Sequence, residues 1–224
     1  MASHGAPAGA RLAVLASGRG SNLQALLDAI ADGSLPAAVV GVFSDRPDAP
    51  ALAMVPEARR WSARPRDYAD RAAFDAALAD AVAAVAPDWV VCAGYMRILG
   101  GDFIARFAGR LLNIHPSLLP RHRGLHTHAA ALDAGDAEHG ASVHFVTPEL
   151  DAGAVIAQAR LPVRADDTPD TLAERLLPLE HRLLVATVGL AVTGRLAERG
   201  DKAWLDGQEL FSPLCLDCSG KLGA

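Results

Sequence analysis

The chain has 224 residues, of which 51% are hydrophobic and 21% charged, so a disordered chain is excluded and one sizeable domain is expected. The formal net charge is −5 without any basic block, which disfavours nucleic acid as a partner. No apolar run reaches membrane-spanning length, no signal peptide is evident, and the three cysteines do not make a disulfide framework. We therefore expect a cytoplasmic protein without a membrane partner.

The first predicted elements are a flexible leader over 1–10 and a strand over 12–16. A glycine-containing segment, 17–22, follows the strand. Apolar residues then recur at the spacing of one helix face, at Leu23, Leu26, Leu27 and Ile30. A strand, a glycine loop and a helix in this order are typical of a nucleotide-binding α/β unit.

Strands and helices continue to alternate along the chain. Further strands are predicted over the apolar runs 38–43, 89–93, 111–114, 143–146 and 155–159. Helices are predicted over 74–85, through 128–132 and from about 168 to 196, the last kinked or split at Pro178. The pattern predicts one α/β domain over 11–204, with a mostly parallel twisted sheet covered by helices on both faces. The C-terminal segment 205–224 is expected to be irregular.

The segment 111–120 is the most informative for function. Its apolar run ends in Asn113 and His115, and Pro116 then stops the strand. Residues two apart in a strand point to the same face, so Asn113 and His115 are expected to project together where a buried strand meets a loop. An amide donor would then stand beside a group that titrates near neutral pH. The alternative is an ordinary strand end with a capped histidine.

The glycine loop is the second candidate site. Glycines let the backbone approach an anion, free N–H groups at a helix start attract it, and Ser21 or Asn22 can cap the helix or donate to the anion. Leu23 replaces the third glycine of the dinucleotide fingerprint and no P-loop lysine follows, so a phosphate monoester fits better than NAD or ATP. Asp45 after the second strand keeps a dinucleotide open, and a plain capped turn is the remaining alternative.

Three further segments carry candidate residues. Residues 94–99 follow a buried strand, and they predict either a slot for a flat ligand or ordinary core packing of their apolar side chains. His126 and His128 would fall on different helix faces, which makes a metal cage improbable. Cys215 and Cys218 form a CxxC pair with no second pair, a weak signal for a redox or zinc site.

Asp151 lies in a turn between two predicted strands. A carboxylate in such a turn is usually solvated. If the turn folds back to His115, Asp151 would favour the protonated imidazole, and the two would form an acid–base and oxyanion constellation with Asn113.

Six motifs follow one another along the chain. They are SGRGSNLQ at 17–24, AGYMRIL at 93–99, LLNIHPSLLP at 111–120, GLHTH at 124–128, EHGASVHFV at 138–146 and AWLDGQ at 203–208. Together they resemble the phosphoribosylglycinamide formyltransferases, the folate-dependent enzymes of purine synthesis, from about residue 11 to residue 208. The Asn-x-His-Pro-Ser segment alone is shared by the wider formyltransferase superfamily, whereas the ordered set is specific to this family.

The resemblance implies a single-domain, Rossmann-like formyltransferase fold and a role for each group of residues. The implied sites are, for catalysis, Asn113, His115 and Asp151; for glycinamide ribonucleotide (GAR), Gly20, Ser21, Asn22 and Glu180; and for 10-formyltetrahydrofolate, Arg71, Met96, Arg97, Ile98, Leu99 and Asn113. The expected partners are these two small molecules, no metal is required, and the chain is expected to be a monomer or homodimer.

The implied reaction is direct attack of the GAR amine on the formyl carbon of 10-formyltetrahydrofolate, in de novo purine (IMP) biosynthesis. Asn113 and protonated His115 would hydrogen-bond the oxygen of the tetrahedral intermediate, and Asp151 would keep His115 charged. Two alternatives stay open. A formyltetrahydrofolate hydrolase would carry a regulatory domain before the first strand. A non-catalytic nucleotide-binding module would have no need for all three catalytic residues.

This chain departs from the family pattern at three places. Arg19 stands where a small polar residue, often asparagine, is expected. Arg123 occupies a position that is usually proline in a more apolar loop, so the loop 121–124 would lose stiffness. Ala154 replaces the proline of an Asp-Gly-Gly-Pro turn. None of these changes removes a catalytic group, so activity is still expected.

Overall fold

The computed structural model describes residues 9–223 and contains, within that range, one large sheet, one small sheet and five α-helices. The strands are β1 (Ala10–Leu15), β2 (Ala37–Ser44), β3 (Arg60–Ser62), β4 (Trp89–Cys92), β5 (Leu111–His115), β6 (Glu138–Phe145), β7 (Val155–Pro162), β8 (Leu196–Arg199), β9 (Lys202–Leu205), β10 (Gln208–Glu209), β11 (Leu214–Leu216) and β12 (Leu222–Gly223). The helices are α1 (Ser21–Ala31), α2 (Arg71–Ala84), α3 (Gly101–Arg106), α4 (Thr127–Asp133) and α5 (Pro169–Val192).

The large sheet has the strand order β12-β11-β7-β6-β5-β4-β1-β2-β3. All pairs from β5 to β3 are parallel, whereas β6 is antiparallel to both β5 and β7. The predicted α/β architecture with a mostly parallel sheet is therefore confirmed. Strand β5 is parallel to β4 and antiparallel to β6, so the parallel part of the sheet meets the antiparallel part at β5.

The core lies on both faces of the sheet, and β1 shows why. Leu12 and Val14 point to one face, where they belong to the same buried cluster as apolar residues of α1 and α5. Ala13 and Leu15 point to the other face and share a cluster with residues of α2 and α3. Because successive side chains of a strand alternate between faces, a strand covered on both sides must be apolar throughout.

Helix α5 is continuous over 24 residues, so Pro178 does not split it. Thr168 caps its start, accepting a hydrogen bond from the N–H of Thr171 in a capping box. Leu176 and Leu183 are fully buried on either side of Pro178 and anchor both halves of the helix. Pro178 itself is exposed, so water can reach the carbonyl that lost its intrahelical partner.

The C-terminal segment is more regular than expected. β9 and β10 belong to a small antiparallel sheet with β8, β11 pairs in parallel with β7, and β12 closes a hairpin with β11. The prediction of an irregular segment over 205–224 was therefore wrong for these strands. They are too short to show a hydrophobic period, and the open edge of β7 supplies the pairing for β11.

The N-terminal segment, two short elements and the hydrophobicity of the helices are the remaining features of the fold. The leader predicted over 1–10 falls mostly outside the described residues, and β1 begins at Ala10. The short elements β3 and α3 were not predicted, because three to six residues carry too little periodicity. In the described part of the chain, no helix combines the length and hydrophobicity needed to cross a membrane.

Two glycine substitutions test the packing. Gly140→Ala should lower the free energy of unfolding by about 1–3 kcal/mol or more, because overpacking strains a closely packed sheet. The new Cβ would lie 2.0 Å from the carbonyl oxygen of Ala159 on the paired strand. Gly189→Ala in α5 meets no atom within 4 Å. It should raise stability by about 0.5–1 kcal/mol through helix propensity. Urea unfolding of both variants measures the difference, and equal values would contradict the described β6–β7 packing.

Candidate active site

The end of β5 brings together the first two candidate residues. Asn113 pairs with Cys92 of β4 on one side and with His144 of β6 on the other. The side chain of Asn113 lies against that of His144, with Nδ2 3.1 Å from His144 Nε2. Asn113 and His115 thus occupy one face at the end of a buried strand, as their spacing predicts, and a third polar residue from the neighbouring strand joins them.

His144 was not assigned a role from the sequence. Its Nδ1 lies 2.7 Å from the carbonyl oxygen of Phe145 and donates to it, so Nε2 is the nitrogen that accepts from Asn113. Burial lowers the pKa of His144, which favours this neutral form. Strand alternation predicts that Ser142 and His144 point to the same face of their strand. The sequence does not show that this strand lies beside β5, so the contact between His144 and Asn113 could not be predicted.

His115 is buried and has a protein partner at each ring nitrogen. Nε2 lies 3.0 Å from the carbonyl oxygen of His122, and Nδ1 lies 3.5 Å from Oδ2 of Asp151. A carbonyl oxygen only accepts, so the Nε2 proton must be present. His115 Nε2–H therefore donates to this carbonyl oxygen, and Nδ1 faces the carboxylate.

Asp151 folds back to His115, as a shared site requires. Its side chain is only 9% exposed, and Oδ1 lies 3.7 Å from His144 Nε2. Oδ2 accepts a hydrogen bond from the N–H of Gly124 at 2.9 Å. Close packing of the turn requires Gly153, because a Cβ there would lie 1.9 Å from the carbonyl oxygen of Phe145.

The glycine loop joins β1 to α1 and leaves the helix start open. Gly20 has φ +82°, and a Cβ at this position would lie 2.8 Å from Cβ of Ala51, so glycine is required. No side chain caps α1 and no acidic residue lies in its first turn. The first N–H groups of a helix have no intrahelical partner, so this end can bind an anion.

Asn22 connects the glycine loop to α5. Its Nδ2 donates to Oε2 of Glu180 at 3.4 Å, whereas its buried Oδ1 has no hydrogen-bond partner in the described residues. Burial raises the pKa of Glu180, and the hydrogen bond from Asn22 opposes this effect. A buried acceptor without a partner is costly unless a ligand supplies a donor, which makes this a candidate binding site for a molecule with hydroxyl or amine groups.

The segment after β4 lies beside the glycine loop. The hydroxyl of Ser17 donates to Asp45 at 2.6 Å and accepts from the N–H of Met96 at 2.9 Å. Met96 and Ile98 are 65% and 53% exposed, so they do not pack in the core, and Leu99 is the buried member of the segment. Apolar side chains exposed beside polar groups favour the slot for a flat ligand over the core alternative.

Two arginines border this segment. Arg97 lies over the ring of Phe74, with 5.3 Å between its guanidinium carbon and the ring centroid. Arg71 donates to the carbonyl oxygen of Ile98 at 2.7 Å and lies 3.5 Å from the carboxylate of Asp75. Arg71 also lines a groove of about 480 Å³ between α2 and α3, which Asn113, His115 and Asp151 do not line.

The remaining histidines and the CxxC pair lie elsewhere. His128 Nδ1 and His139 Nε2 are 2.9 Å apart, and burial lowers the pKa of both, that of His139 to about 4. Cys215 and Cys218 are exposed thiols in the β11–β12 hairpin. Among residues 9–223 no group of three or more His, Cys, Asp or Glu residues is arranged to hold a metal ion.

Known proteins resemble this chain in both sequence and structure. Residues 10–188 match the model of the formyl transferase family. The chain is 46% identical over 201 residues to the phosphoribosylglycinamide formyltransferase of Escherichia coli K12, covering 89% of this chain and 95% of that protein. Its identity to the enzyme of that name from Mycobacterium tuberculosis H37Rv is 47% over 203 residues, covering 86% and 93%. The solved structure of the Coxiella burnetii phosphoribosylglycinamide formyltransferase has a TM-score of 0.84 at 41% identity, covering 90% and 96%.

Replacing Glu180 should reveal what its burial costs the fold. Because burial raises the pKa of Glu180, the native state binds this proton more tightly than the unfolded state does. The stability that Glu180 contributes therefore falls as pH rises from the unfolded pKa through the native pKa. Glu180→Gln removes this loss, so it should be more stable than the parent chain near about pH 8 and lose that advantage near about pH 4.

Urea unfolding at both pH values measures this effect. Glu174→Gln on the exposed face of α5 is the matched control and should show little change at either pH. A pH-independent difference for Glu180→Gln would argue against a buried ionised carboxylate.

Proposed function

This chain belongs to the formyl transferase family, and we propose that it transfers the formyl group of 10-formyltetrahydrofolate to the amine of GAR. The products are formyl-GAR and tetrahydrofolate, in de novo purine biosynthesis. The observation that carries the proposal is the cluster of Asn113, His115, His144 and Asp151 at the end of β5, in which both histidines are buried. Hydrolysis of the folate is not favoured, since the relatives above carry the name of the transferase.

The reaction joins the amine nitrogen of GAR to the formyl carbon and then breaks the bond between that carbon and N10 of the folate. The oxygen of the tetrahedral intermediate is negative. Asn113 Nδ2 has two N–H bonds, of which one donates to His144, and the other has no partner in the described chain and is assigned to this oxygen. The proton that the amine loses passes to N10 through His115, Asp151 or water.

The role of His115 follows from its two partners. A hydrogen bond from Nε2 to the intermediate would compete with the carbonyl oxygen of His122, which already accepts that proton. We therefore assign to His115 the positive charge beside the oxyanion and the proton transfer through Nδ1, which faces Asp151. This modifies the initial expectation that Asn113 and His115 both hydrogen-bond the oxyanion.

GAR is assigned to the space between the glycine loop and α5. The free N–H groups at the start of α1, with Gly20 and Ser21, would bind its phosphate. The unpartnered Oδ1 of Asn22 and the carboxylate of Glu180 would accept hydrogen bonds from the ribose hydroxyls. A buried acceptor pair selects a ligand with two donors, which a ribose supplies.

The folate is assigned to the segment formed by Met96, Arg97, Ile98 and Leu99, which follows β4, the strand that pairs with β5 at Asn113. Exposed Met96 and Ile98 suit the flat pterin, and backbone groups of the segment supply polar contacts. Arg71 keeps half of its side chain exposed, so N–H groups remain available for a carboxylate of the folate tail. The chemistry assigned here calls for no metal, and GAR and the folate are the proposed partners.

Turnover should require both substrates. Loss of 10-formyltetrahydrofolate is followed spectroscopically with and without GAR, and with EDTA present. We expect turnover only with GAR and no effect of EDTA. Turnover without GAR would indicate a hydrolase, and binding of GAR without turnover would indicate a nucleotide-binding module.

Replacing either His115 or Asp151, called the buried pair below, should slow the reaction. His115→Ala and Asp151→Asn should each lower kcat on the order of 100–1,000-fold, because the developing charge loses its stabilisation. KM for GAR should change much less, since the ribonucleotide is bound elsewhere. Glu149→Gln, an exposed carboxylate on the same turn, is the control. A rate near that of the parent chain in either variant would contradict the mechanism.

Arg19 should strengthen phosphate binding. It is an exposed residue of the glycine loop and forms no salt bridge in the described residues. Arg19→Asn is expected to raise KM for GAR about fivefold with little change in kcat, a loss typical of one exposed charge-assisted contact. The difference should shrink at high KCl concentration because salt screens exposed charges. An unchanged KM at low salt would mean that Arg19 only faces solvent.

A further inference from the structure

The loop 121–124 holds both members of the buried pair through its backbone. The carbonyl oxygen of His122 accepts from His115 Nε2 at 3.0 Å, and the N–H of Gly124 donates to Asp151 at 2.9 Å. Neither contact involves a side chain of the loop. The distance and orientation between the imidazole and the carboxylate therefore depend on the path that the loop backbone takes.

That path is an unfavourable one for the residues it contains. His122 has φ +51°, in the left-handed region that residues with a Cβ seldom occupy. Gly124 has φ +82°. A non-glycine residue stays in this region only where its surroundings hold it. Arg123 lies between these two residues and, unlike a proline, does not restrict its own backbone.

The side chain of His122 provides the restraint. Its Nε2 lies 2.7 Å from Oδ2 of Asp136, and the two side chains are only 17% and 16% exposed. This hydrogen bond lowers the pKa of Asp136, so the carboxylate stays charged. Arg121 also reaches Asp136 at 3.2 Å, and the hydroxyl of Ser117 donates to the carbonyl oxygen of Arg121 at 2.7 Å.

Asp136 is itself a fixed anchor. It lies in the turn between α4 and β6, where its N–H donates to the carbonyl oxygen of Ala131 at 3.1 Å. The N–H of Gly135 donates to the carbonyl oxygen of Leu132 at 3.0 Å. The other ion pair of the loop, between Arg123 and Glu149, is exposed and contributes little by comparison.

We propose that His122 and Asp136 are positioning residues, whose side-chain hydrogen bond fixes the loop 121–124 so that its backbone holds His115 and Asp151 against each other. Neither touches the reacting atoms. The pair restrains by a side-chain contact a loop whose backbone conformation is unfavourable. The effect on rate rests on the proposed function, whereas the effect on the hydrogen bond of His115 Nε2–H does not.

Two substitutions at position 122 separate the side-chain hydrogen bond from the bulk of the ring. His122→Phe keeps an aromatic ring but no donor, and His122→Gln keeps an N–H donor for Asp136. We expect His122→Phe to lower kcat about tenfold, within the range that small misplacements of catalytic groups cost, with KM for GAR changed less than about twofold. His122→Gln should retain kcat within about twofold.

The hydrogen bond from His115 Nε2–H to the carbonyl oxygen of His122 is measured directly by the ¹H and ¹⁵N chemical shifts of the His115 ring, with no substrate present. The parent chain and His122→Gln should show the same shifts for the Nε2–H group, and in His122→Phe this resonance should move or broaden as the hydrogen bond is lost. If the parent chain lacks transferase activity, the proposed function fails, but this comparison still decides the role of His122.

Controls exclude a general loss of stability. Arg195→Gln breaks the exposed ion pair with Asp206 in the small sheet, and it should leave kcat and the His115 shifts unchanged. If His122→Phe does not fold, Asp136→Ala replaces it, with the same expected loss of rate. Unchanged kcat in His122→Phe or Asp136→Ala, equal losses in His122→Phe and His122→Gln, or unchanged His115 Nε2–H shifts in His122→Phe would each overturn the proposal.

Discussion

Burial of the Asp151 carboxylate requires three distant parts of the chain to meet at the end of β5. A buried charge is tolerated only where partners replace its water, and here they are the Gly124 N–H, His115 and His144. The first comes from a loop, the second from β5 and the third from β6. Each partner is useful only when the other two are in place, so the candidate site and the local packing form together.

The sheet explains why these residues can meet. Ser17 follows β1, Asp45 follows β2 and Met96 follows β4, and one hydroxyl connects all three. The carboxyl ends of parallel strands lie at the same edge, which is where open α/β sheets bind ligands. At β5 the pairing changes to antiparallel, so β6 runs back from the same edge and places His144 beside Asn113. The turn after β6 then returns Asp151 to that edge.

Several groups in the candidate site lower the stability of the folded protein through their burial or their backbone conformation. Asn22 leaves a buried oxygen without a partner in the described residues, and Glu180 is a carboxylate whose ionised form is penalised by burial. Asp151 and His122 adopt left-handed backbone conformations. Such features persist where the surrounding structure holds them, and they concentrate where a ligand is to be bound or a reaction performed.

The local periodicity of apolar residues was sufficient to predict part of the fold and part of the candidate site. The apolar runs and helix faces predicted the main strands and helices, and the spacing of Asn113 and His115 placed both on one face. The glycine loop at the start of α1 was also predictable, since Gly20 and the free helix end depend on neighbouring residues alone. Short elements such as α3 and β11 were not predicted, because they have too few residues to show a hydrophobic period.

The tertiary structure alone decided the rest. Three contacts depend on which segments pack together. They join Asp151 to His115, His144 to Asn113, and His122 to Asp136. The sequence by itself determined the direction in which each strand residue points, because side-chain direction follows from backbone geometry within a few residues. It did not determine distances between loops far apart in the chain, because these arise only when strand pairing and core packing have placed the segments against each other.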